Sequence, residues 1–319
     1  RMRRPGSGYA PTAGAPETVN LPRFGRVEAR PIPELESAAS NYMRSVGRPN
    51  EHVVNEFKPI NEDYARRVAE AFEAMKHDPG NPEVRRSYDA LTEETLAQYR
   101  AAKDAGIDVR FLKDGQADPY AQSPALGYED IMNRGRLYVM PTEHGFGSTD
   151  GLIADSPMIK GAGRIGDKSD ALVNDAFRVV HDLYGHFGPG NPFFRAPGEE
   201  RAYQLHSKMY SPDARPAAAT ETRGQNSWVN FGPHGEHNRT ALGGDTIYAD
   251  QKTGLIPEWA TELPPEKAGG GSILKKAMQV AREYKDPPTT KLGDWNWRPL
   301  PDVQKQLGLT EVPPHVEKF

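Results

Sequence analysis

One stretch of ten residues, Phe177-Arg-Val-Val-His-Asp-Leu-Tyr-Gly-His186, constrains the fold of this chain more than any other. Apolar residues precede the first histidine at helical spacing and predict a helix with one buried face. That face comprises Leu172, Val173, Ala176, Phe177, Val180, His181 and Tyr184. Ser169 suits the N-cap of this helix, with Asp170 in its first turn. His181 is therefore predicted to point into the interior.

His186 can lie close to His181 only if the helix changes direction or ends between them. On a continuous α-helix, five residues would turn the side chain of His186 about 140° away from that of His181. Gly185 predicts the solution, because glycine readily ends a helix in a left-handed conformation. The following residues, as far as Pro192, oppose any continuation. We therefore expect both imidazoles to converge on one point, as two ligands of a metal ion.

A catalytic metal held by two histidines needs a third ligand, and Glu221 is the candidate. Pro216 and three alanines predict the start of a helix just before it. On that helix Glu221, Gln225 and Trp228 share one stripe, so the carboxylate is predicted to face the interior. A metal ion would balance its buried charge. Two histidines and one carboxylate form the facial triad of non-haem Fe(II) oxygenases, which leaves positions open for dioxygen and substrate.

Other acidic residues compete for the role of third ligand. Glu199 and Glu200 lie at the start of a predicted helix that ends near Tyr210. Asp182 adjoins His181 in sequence and would point elsewhere on a helix, which suits a hydrogen-bonding role around the site better. His206 is a second candidate for that outer role or even for a ligand, although an ordinary core or surface histidine is the simpler interpretation.

Helical phase and charge suggest the residues that contact substrate. Tyr184, Gln225 and Trp228 are predicted to line the pocket. Arg223 or Arg164 could bind an anionic group of the substrate.

The motif His181-Asp-Leu-Tyr-Gly-His186 resembles the His-Glu-Leu-Leu-Gly-His signature of the iron-dependent aromatic amino acid hydroxylases. The resemblance extends from Phe177 to Phe231, about a sixth of the chain. It implies Fe(II) bound by two histidines and a glutamate a few dozen residues downstream. In this sequence that glutamate would be Glu221, in Thr220-Glu221 before Trp228-Val-Asn-Phe-Gly232.

The flanking motifs depart from this family. Asn174-Asp-Ala-Phe-Arg178 stands in place of the family's Pro-Glu-Pro-Asp, and Asp182 replaces a glutamate. No segment matches the family's pterin-contacting segment or its carboxylate-binding arginine. The resemblance therefore supports an Fe(II) site more strongly than it supports a tetrahydropterin cofactor or a free aromatic amino acid as substrate. A peptide side chain is an equally good candidate substrate.

The remaining pattern predicts a mainly α fold with small β-hairpins (α+β), loop-rich and resembling the catalytic core of those hydroxylases. The 29 prolines and 31 glycines indicate much loop, yet stay below the roughly 25–30% typical of disordered chains. We expect an extended N-terminal arm over residues 1–50, a helical metal-binding catalytic domain over 51–285, and a Pro/Trp-rich tail packed on the body over 286–319.

Several elements are predicted within these parts. Helices are expected after Asn61 and Asn81 as an antiparallel pair, and a short helix over 33–46. Strands are expected at 107–112 and 136–140, a hairpin at 246–256 and a further helix at 272–284. The glycine-rich residues 143–151 could form a mobile lid near the metal.

Composition excludes several classes of function. The net charge of −4 gives no general attraction to nucleic acid or to an anionic membrane, and no apolar run is long enough to span a bilayer. The chain has no cysteine, which excludes disulfides, thiolate nucleophiles and iron–sulfur clusters and fits a reducing, cytoplasmic compartment. No signal peptide is visible. The arm and the first residue, Arg1, suggest a processed piece that docks into a larger assembly.

Together these patterns predict a mononuclear non-haem Fe(II) oxygenase, a hydroxylase, acting on a small-molecule or peptide substrate with dioxygen. One alternative is a zinc-dependent hydrolase on the same ligands. The other is a non-enzymatic structural or particle protein with a degenerate site. His234 and Glu236 match the start of a cupin-type site, but no run of short strands surrounds them, so a solvated loop is predicted there.

Overall fold

A computed structural model describes residues 17–21, 25–48, 62–121, 123–145, 154–191, 194, 196–240 and 245–262, with the backbone alone over 17–29. Residues 1–16 of the predicted arm, most of the glycine-rich loop, the helix predicted at 272–284 and the Pro/Trp-rich tail lie outside these ranges. Among the described helices, none combines the length and the apolar character that crossing a bilayer requires.

Helices dominate the described chain, which confirms the predicted mainly α class. They are α1 (Pro33–Ser45), α2 (Glu62–Ala74), α3 (Pro82–Asp104), α4 (Ala125–Arg134), α5 (Thr142–Gly145), α6 (Val173–His181), α7 (Ala196–His206), α8 (Arg215–Ala219), α9 (Gln225–Phe231), α10 (Gly235–Thr240) and α11 (Glu258–Thr261). Short 3₁₀ helices occur at Pro157–Ile159 and Ser207–Met209. Two turns are π-helical: the first π turn (Asp182–Phe187) follows α6, and the second π turn (Thr220–Gly224) joins α8 to α9.

Six short strands form three two-stranded sheets in the described residues. They are β1 (Glu17–Leu21), β2 (Gly25–Ala29), β3 (Asp108–Phe111), β4 (Arg136–Val139), β5 (Gly161–Ile165) and β6 (Lys168–Leu172). β1–β2 and β5–β6 are antiparallel hairpins, and β3–β4 is a parallel pair in which Asp108 lies opposite Arg136. The strands predicted at 107–112 and 136–140 are thus confirmed, and α4 supplies the crossover that a parallel pair needs.

Three apolar clusters hold the helices together. The first lies between α1, α3, the β3–β4 pair, α6 and the first π turn, and includes Val180. The second lies between α3, α6 and α8, and includes Phe177. The third joins α2 to α9, and includes Phe72 and Trp228. Because α6 contributes to two of these clusters, the helix that carries His181 is anchored on both sides.

Helix α1 belongs to the folded body. Leu35, Ala39 and Met43 are fully buried in the first cluster. Each large apolar side chain buried in this way contributes about 1.5–3 kcal/mol. The helix predicted over 33–46 is confirmed, and its apolar face packs into the first cluster.

Two local predictions are wrong. Helices α2 and α3 form but do not pair with each other, because α2 packs on α9 whereas α3 packs on α6 and α1. The predicted hairpin at 246–256 is a loop without strands. Lys252 fastens this loop by donating from Nζ to the carbonyls of Phe72 and Glu73 at the end of α2. The loop is thus hydrogen-bonded to the end of α2, and its residues do not pair with each other as strands.

Candidate metal centre

Helix α6 begins later than the sequence suggests. Ser169 and Asp170 lie in β6, so the predicted N-cap is wrong. Instead Asp175 accepts a hydrogen bond from the backbone N–H of Leu172 at 2.8 Å, which satisfies a free donor at the helix start. The predicted inward face is otherwise present, and His181 lies on it with 9% of its surface exposed.

His186 reaches the same region through the first π turn. Its backbone bonds span five residues, for example from Gly188 N–H to the Leu183 carbonyl at 2.7 Å, so residues five apart come closer to one face. Gly185 does not adopt the predicted left-handed conformation. It is needed for another reason, because a Cβ there would lie 3.0 Å from Cβ of Ala202 on α7. The predicted convergence of the two histidines is present, by a different backbone route.

The first turns of α7 supply a carboxylate to the two imidazoles. Oε2 of Glu199 lies 3.5 Å from Nε2 of His181 and 3.4 Å from Nε2 of His186. The two imidazole rings are 5.0 Å apart and nearly perpendicular, at 83°. Of all His, Asp and Glu side chains in the described residues, these three alone form a group compact enough to share one metal ion.

His186 is fixed from three sides. Its Nδ1 lies 3.2 Å from the Asn191 carbonyl, and the ring of Phe194 stacks on its own at 4.0 Å. The Asn191 side chain donates to the carbonyls of Gly185 and Gly198, which ties the π turn to the start of α7. A carbonyl can only accept, so Nδ1 carries a proton, and in the neutral ring Nε2 is the nitrogen whose lone pair is left for a metal ion.

His206 holds the ring of His181 in place. Nδ1 of His181 lies 3.3 Å from Nδ1 of His206, at the end of α7. Nε2 of His206 lies 2.7 Å from Oε1 of Gln98 on α3. The ring of Phe177 stacks on that of His181 at 6.2 Å. The outer hydrogen-bonding role predicted for His206 is thus present, with Gln98 behind it.

Glu199 and the imidazoles of His181 and His186 together favour a positive charge placed between them. Burial raises the pKa of Glu199, but the nearby imidazoles, His186 above all, outweigh it and hold this pKa well below its usual value. Burial lowers the pKa of His186, but Glu199 outweighs burial and raises it. His186 Nε2 is itself buried and without a hydrogen-bond partner. Two imidazole nitrogens and a carboxylate oxygen are the donors that divalent iron and zinc accept, so the residues fit such an ion.

The structure brings Glu199, not Glu221, to the imidazoles. Glu221 accepts hydrogen bonds from Tyr88 Oη at 2.6 Å and from Gln225 Nε2 at 2.8 Å. Burial raises the pKa of Glu221 to about 7. The prediction assumed that a buried carboxylate needs a cation, whereas here a phenol and an amide satisfy it. The second π turn also shifts the helical phase on which the prediction rested.

The predicted substrate contacts have structural partners instead. Arg223 is fully buried and forms a bidentate pair with Glu200, so it offers no surface to an anion. Trp228 Nε1 donates to Glu73 on α2. Tyr184 Oη donates to the Gln98 carbonyl at 3.2 Å, inside the first cluster. Gln225 is occupied by Glu221.

Asp182 lies close enough to the centre to interact with its ligands: burial raises the pKa of Asp182, and His186 and His181 oppose this shift. Its carboxylate is not the partner of His186 Nδ1, which contacts the Asn191 carbonyl, so its outer hydrogen-bonding role stays a prediction.

Three other predicted residues lie apart from the centre. Arg164 is exposed on the β5–β6 hairpin. His234 and Glu236 are exposed near the start of α10 and belong to no metal-binding group among the described residues.

The sequence held weak signals for Gln98 and Asn191, which were missed, and for Glu199, which was named only as a competitor of Glu221. Gln98 and Thr95 lie on the same stripe of α3 as Leu91 and Ala102, and a polar residue on an apolar stripe indicates a buried partner. Asn191 precedes a proline within the turn after His186. Glu199 follows His186 by only thirteen residues, a short tether for a third ligand.

Comparison with known proteins gives no further guide to this site. No protein-family model matches the chain, and no curated protein or solved structure is significantly similar to it.

Proposed function

We propose that this protein is a mononuclear non-haem Fe(II) oxygenase of the hydroxylase type, with His181, His186 and Glu199 as metal ligands. The observation that carries the proposal is the approach of both Nε2 atoms to one carboxylate oxygen, at 3.5 and 3.4 Å. Two nitrogen donors and one oxygen donor are the ligand set of the facial triad. Glu199 replaces Glu221 in the ligand set, and the reaction class expected from the motif is retained.

The exposure of the three side chains indicates how reactants would approach. Those of His181 and Glu199 are 11% and 24% exposed, whereas His186 is fully enclosed. Substrate would therefore arrive from the side of His181 and Glu199, while Phe194 excludes water from the His186 ring. Fe(II), when bound, would supply the activation of dioxygen. Hydroxylation with one dioxygen also consumes two electrons and two protons and releases water, so an organic reductant is required.

The resemblance to the aromatic amino acid hydroxylases supports the two histidines only. Its downstream glutamate corresponds to Glu221, which hydrogen-bonds with Tyr88 and Gln225. A tetrahydropterin is thus one candidate reductant and ascorbate a simpler one. An aromatic amino acid and a peptide side chain remain the candidate substrates.

The test is anaerobic reconstitution with Fe(II), followed by elemental analysis and exposure to dioxygen. The parent protein should bind one iron per chain, His181→Ala should bind none, and the exposed control His237→Ala should match the parent. Dioxygen with ascorbate or a tetrahydropterin should then be consumed by the iron-loaded parent and by His237→Ala, but not by His181→Ala. One tightly held zinc that iron cannot displace would instead indicate the hydrolase, and no metal in any variant would indicate a non-enzymatic protein.

A further inference from the structure

A chain of buried polar side chains runs from helix α3 to His181. Gln98 on α3 is fully buried and His206 on α7 is 2% exposed. Oε1 of Gln98 lies 2.7 Å from Nε2 of His206, and Nδ1 of His206 lies 3.3 Å from Nδ1 of His181. At its far end, Nε2 of Gln98 donates to the Met209 carbonyl at 3.3 Å.

The Met209 carbonyl sets the direction of every proton in this chain. It can only accept, so the amide nitrogen of Gln98 faces it and Oε1 faces His206. Because Oε1 also only accepts, Nε2 of His206 must carry a proton. The rings of Phe177, Tyr184 and Tyr210 surround His206.

A neutral His206 with a proton on Nε2 has its lone pair on Nδ1. That lone pair accepts the Nδ1 proton of His181, so in the neutral ring Nε2 of His181 is the nitrogen with the lone pair. This nitrogen is the atom that lies 3.5 Å from Glu199.

We propose that Gln98 and His206 are positioning residues that fix the tautomer of His181 and hold its Nε2 ready for a metal ion. The inference rests on the proposed metal site. The relay ends in an amide, whereas metal-bound histidines often donate to a carboxylate. His186 likewise uses a neutral partner, the Asn191 carbonyl. Neither imidazole thus hydrogen-bonds to a carboxylate through Nδ1, and Glu199 supplies the anion among the three ligands.

The test combines two substitutions of Gln98 with long-range ¹H–¹⁵N NMR of histidine-labelled protein, metal-free and loaded with diamagnetic Zn²⁺. The parent should show His181 protonated at Nδ1 and His206 at Nε2. Gln98→Leu removes the acceptor, so His206 should populate both tautomers and metal affinity should fall about 10- to 100-fold. Gln98→Glu keeps an acceptor and adds charge, so tautomers should persist while the midpoint potential of bound iron moves lower.

Thr95→Val is the matched control. Thr95 is equally buried on α3 and hydrogen-bonds Tyr210, so Thr95→Val removes a buried hydrogen bond but no hydrogen-bond partner of the relay. It should leave both tautomers and the metal affinity unchanged. Parent-like tautomers and affinity in Gln98→Leu would overturn the relay while leaving the metal site intact. If the parent binds no metal, the proposed function fails, and the tautomers of the metal-free protein still decide the relay.

Discussion

Glu199 and Glu221 are both glutamates in largely buried surroundings, yet these surroundings give them opposite proton affinities. Two imidazoles hold the pKa of Glu199 low, whereas burial raises the pKa of Glu221 to about 7, above the usual value of a glutamate. The first carboxylate is therefore an anion at neutral pH, as a metal ligand must be. The second is close to half protonated and has a phenol and an amide as partners.

This difference predicts how Glu221 affects stability with pH. The unfolded chain loses the proton of Glu221 near its ordinary pKa, whereas the folded protein keeps it until about pH 7. Stability therefore falls as pH rises between these two values. Glu221→Gln should remove this loss, so its free energy of unfolding relative to the parent should increase by about 2 kcal/mol from pH 5 to pH 8.

Urea unfolding of both proteins at several pH values measures the effect. Other titrating groups are common to the two proteins and cancel in the difference. Parallel stability curves across this range would show that Glu221 titrates normally.

At this scale the sequence predicted the two histidines but not their partner. The spacing of His181 and His186 predicted their convergence, although a π turn and not a helix end at Gly185 brings them together. Which glutamate is the third ligand depends on which carboxylate already has another hydrogen-bond partner. For Glu221 that partner is Tyr88, which is 133 residues away in the chain. Such a long-range hydrogen bond leaves no local pattern.

At the level of elements, the first π turn replaces the predicted helix end. Gly185 lies where this turn meets α7, and a Cβ would lie 3.0 Å from Cβ and 3.1 Å from the carbonyl oxygen of Ala202. Gly185→Ala should therefore push the π turn from α7, destabilise the fold by about 1–3 kcal/mol, and weaken metal binding by separating His186 from Glu199.

Chemical denaturation and metal titration measure the two effects together. Gly161→Ala is the control, because a Cβ at Gly161 meets nothing within 4 Å. Equal stability and affinity in both variants would mean that the turn tolerates the added methyl group and that its close packing has no role.

The ion pair between Glu200 on α7 and Arg223 in the second π turn leads to a further prediction. Arg223 and Glu200 are almost fully buried, and Arg223 Nη1 also donates to the Ala260 carbonyl at 2.8 Å. Arg223→Leu leaves the Glu200 carboxylate buried without its cation, so it should cost about 3–5 kcal/mol. The control is Arg66→Ala, which removes an exposed pair with Glu62 and should cost less than about 1 kcal/mol.

Thermal and urea unfolding test this difference, and Glu200→Gln in the Arg223→Leu background should recover part of the loss. A small effect of Arg223→Leu alone would mean that water reaches Glu200 and that the pair is not a buried clamp.

Across the whole molecule, the sequence predicted which helices and strands form better than it predicted how they pack together. The spacing of apolar residues predicted α1, α2, α3 and the β3 and β4 strands. Which helices pack together depends on contacts between distant residues, so the predicted α2–α3 pair was wrong and the role of α1 in the core was missed.

The role of α1 can be tested directly. Leu35 is fully buried in the first cluster, so Leu35→Ala should reduce the free energy of unfolding by about 2–5 kcal/mol. Val46, just after α1, is 44% exposed, and Val46→Ala should change stability by less than about 0.5 kcal/mol. Equal, small effects in a urea titration would mean that α1 behaves as part of a loosely attached arm.

The most direct test of the metal centre compares Glu199→Gln with Glu221→Gln. Each substitution neutralises one buried glutamate and keeps its shape. The measurement is the dissociation constant for Zn²⁺ and, anaerobically, for Fe²⁺ by titration calorimetry. If Glu199 is the third ligand, Glu199→Gln should lose about 100-fold or more in affinity, while Glu221→Gln should stay close to the parent. Parent-like binding in Glu199→Gln, or loss of binding in Glu221→Gln alone, would contradict the assignment.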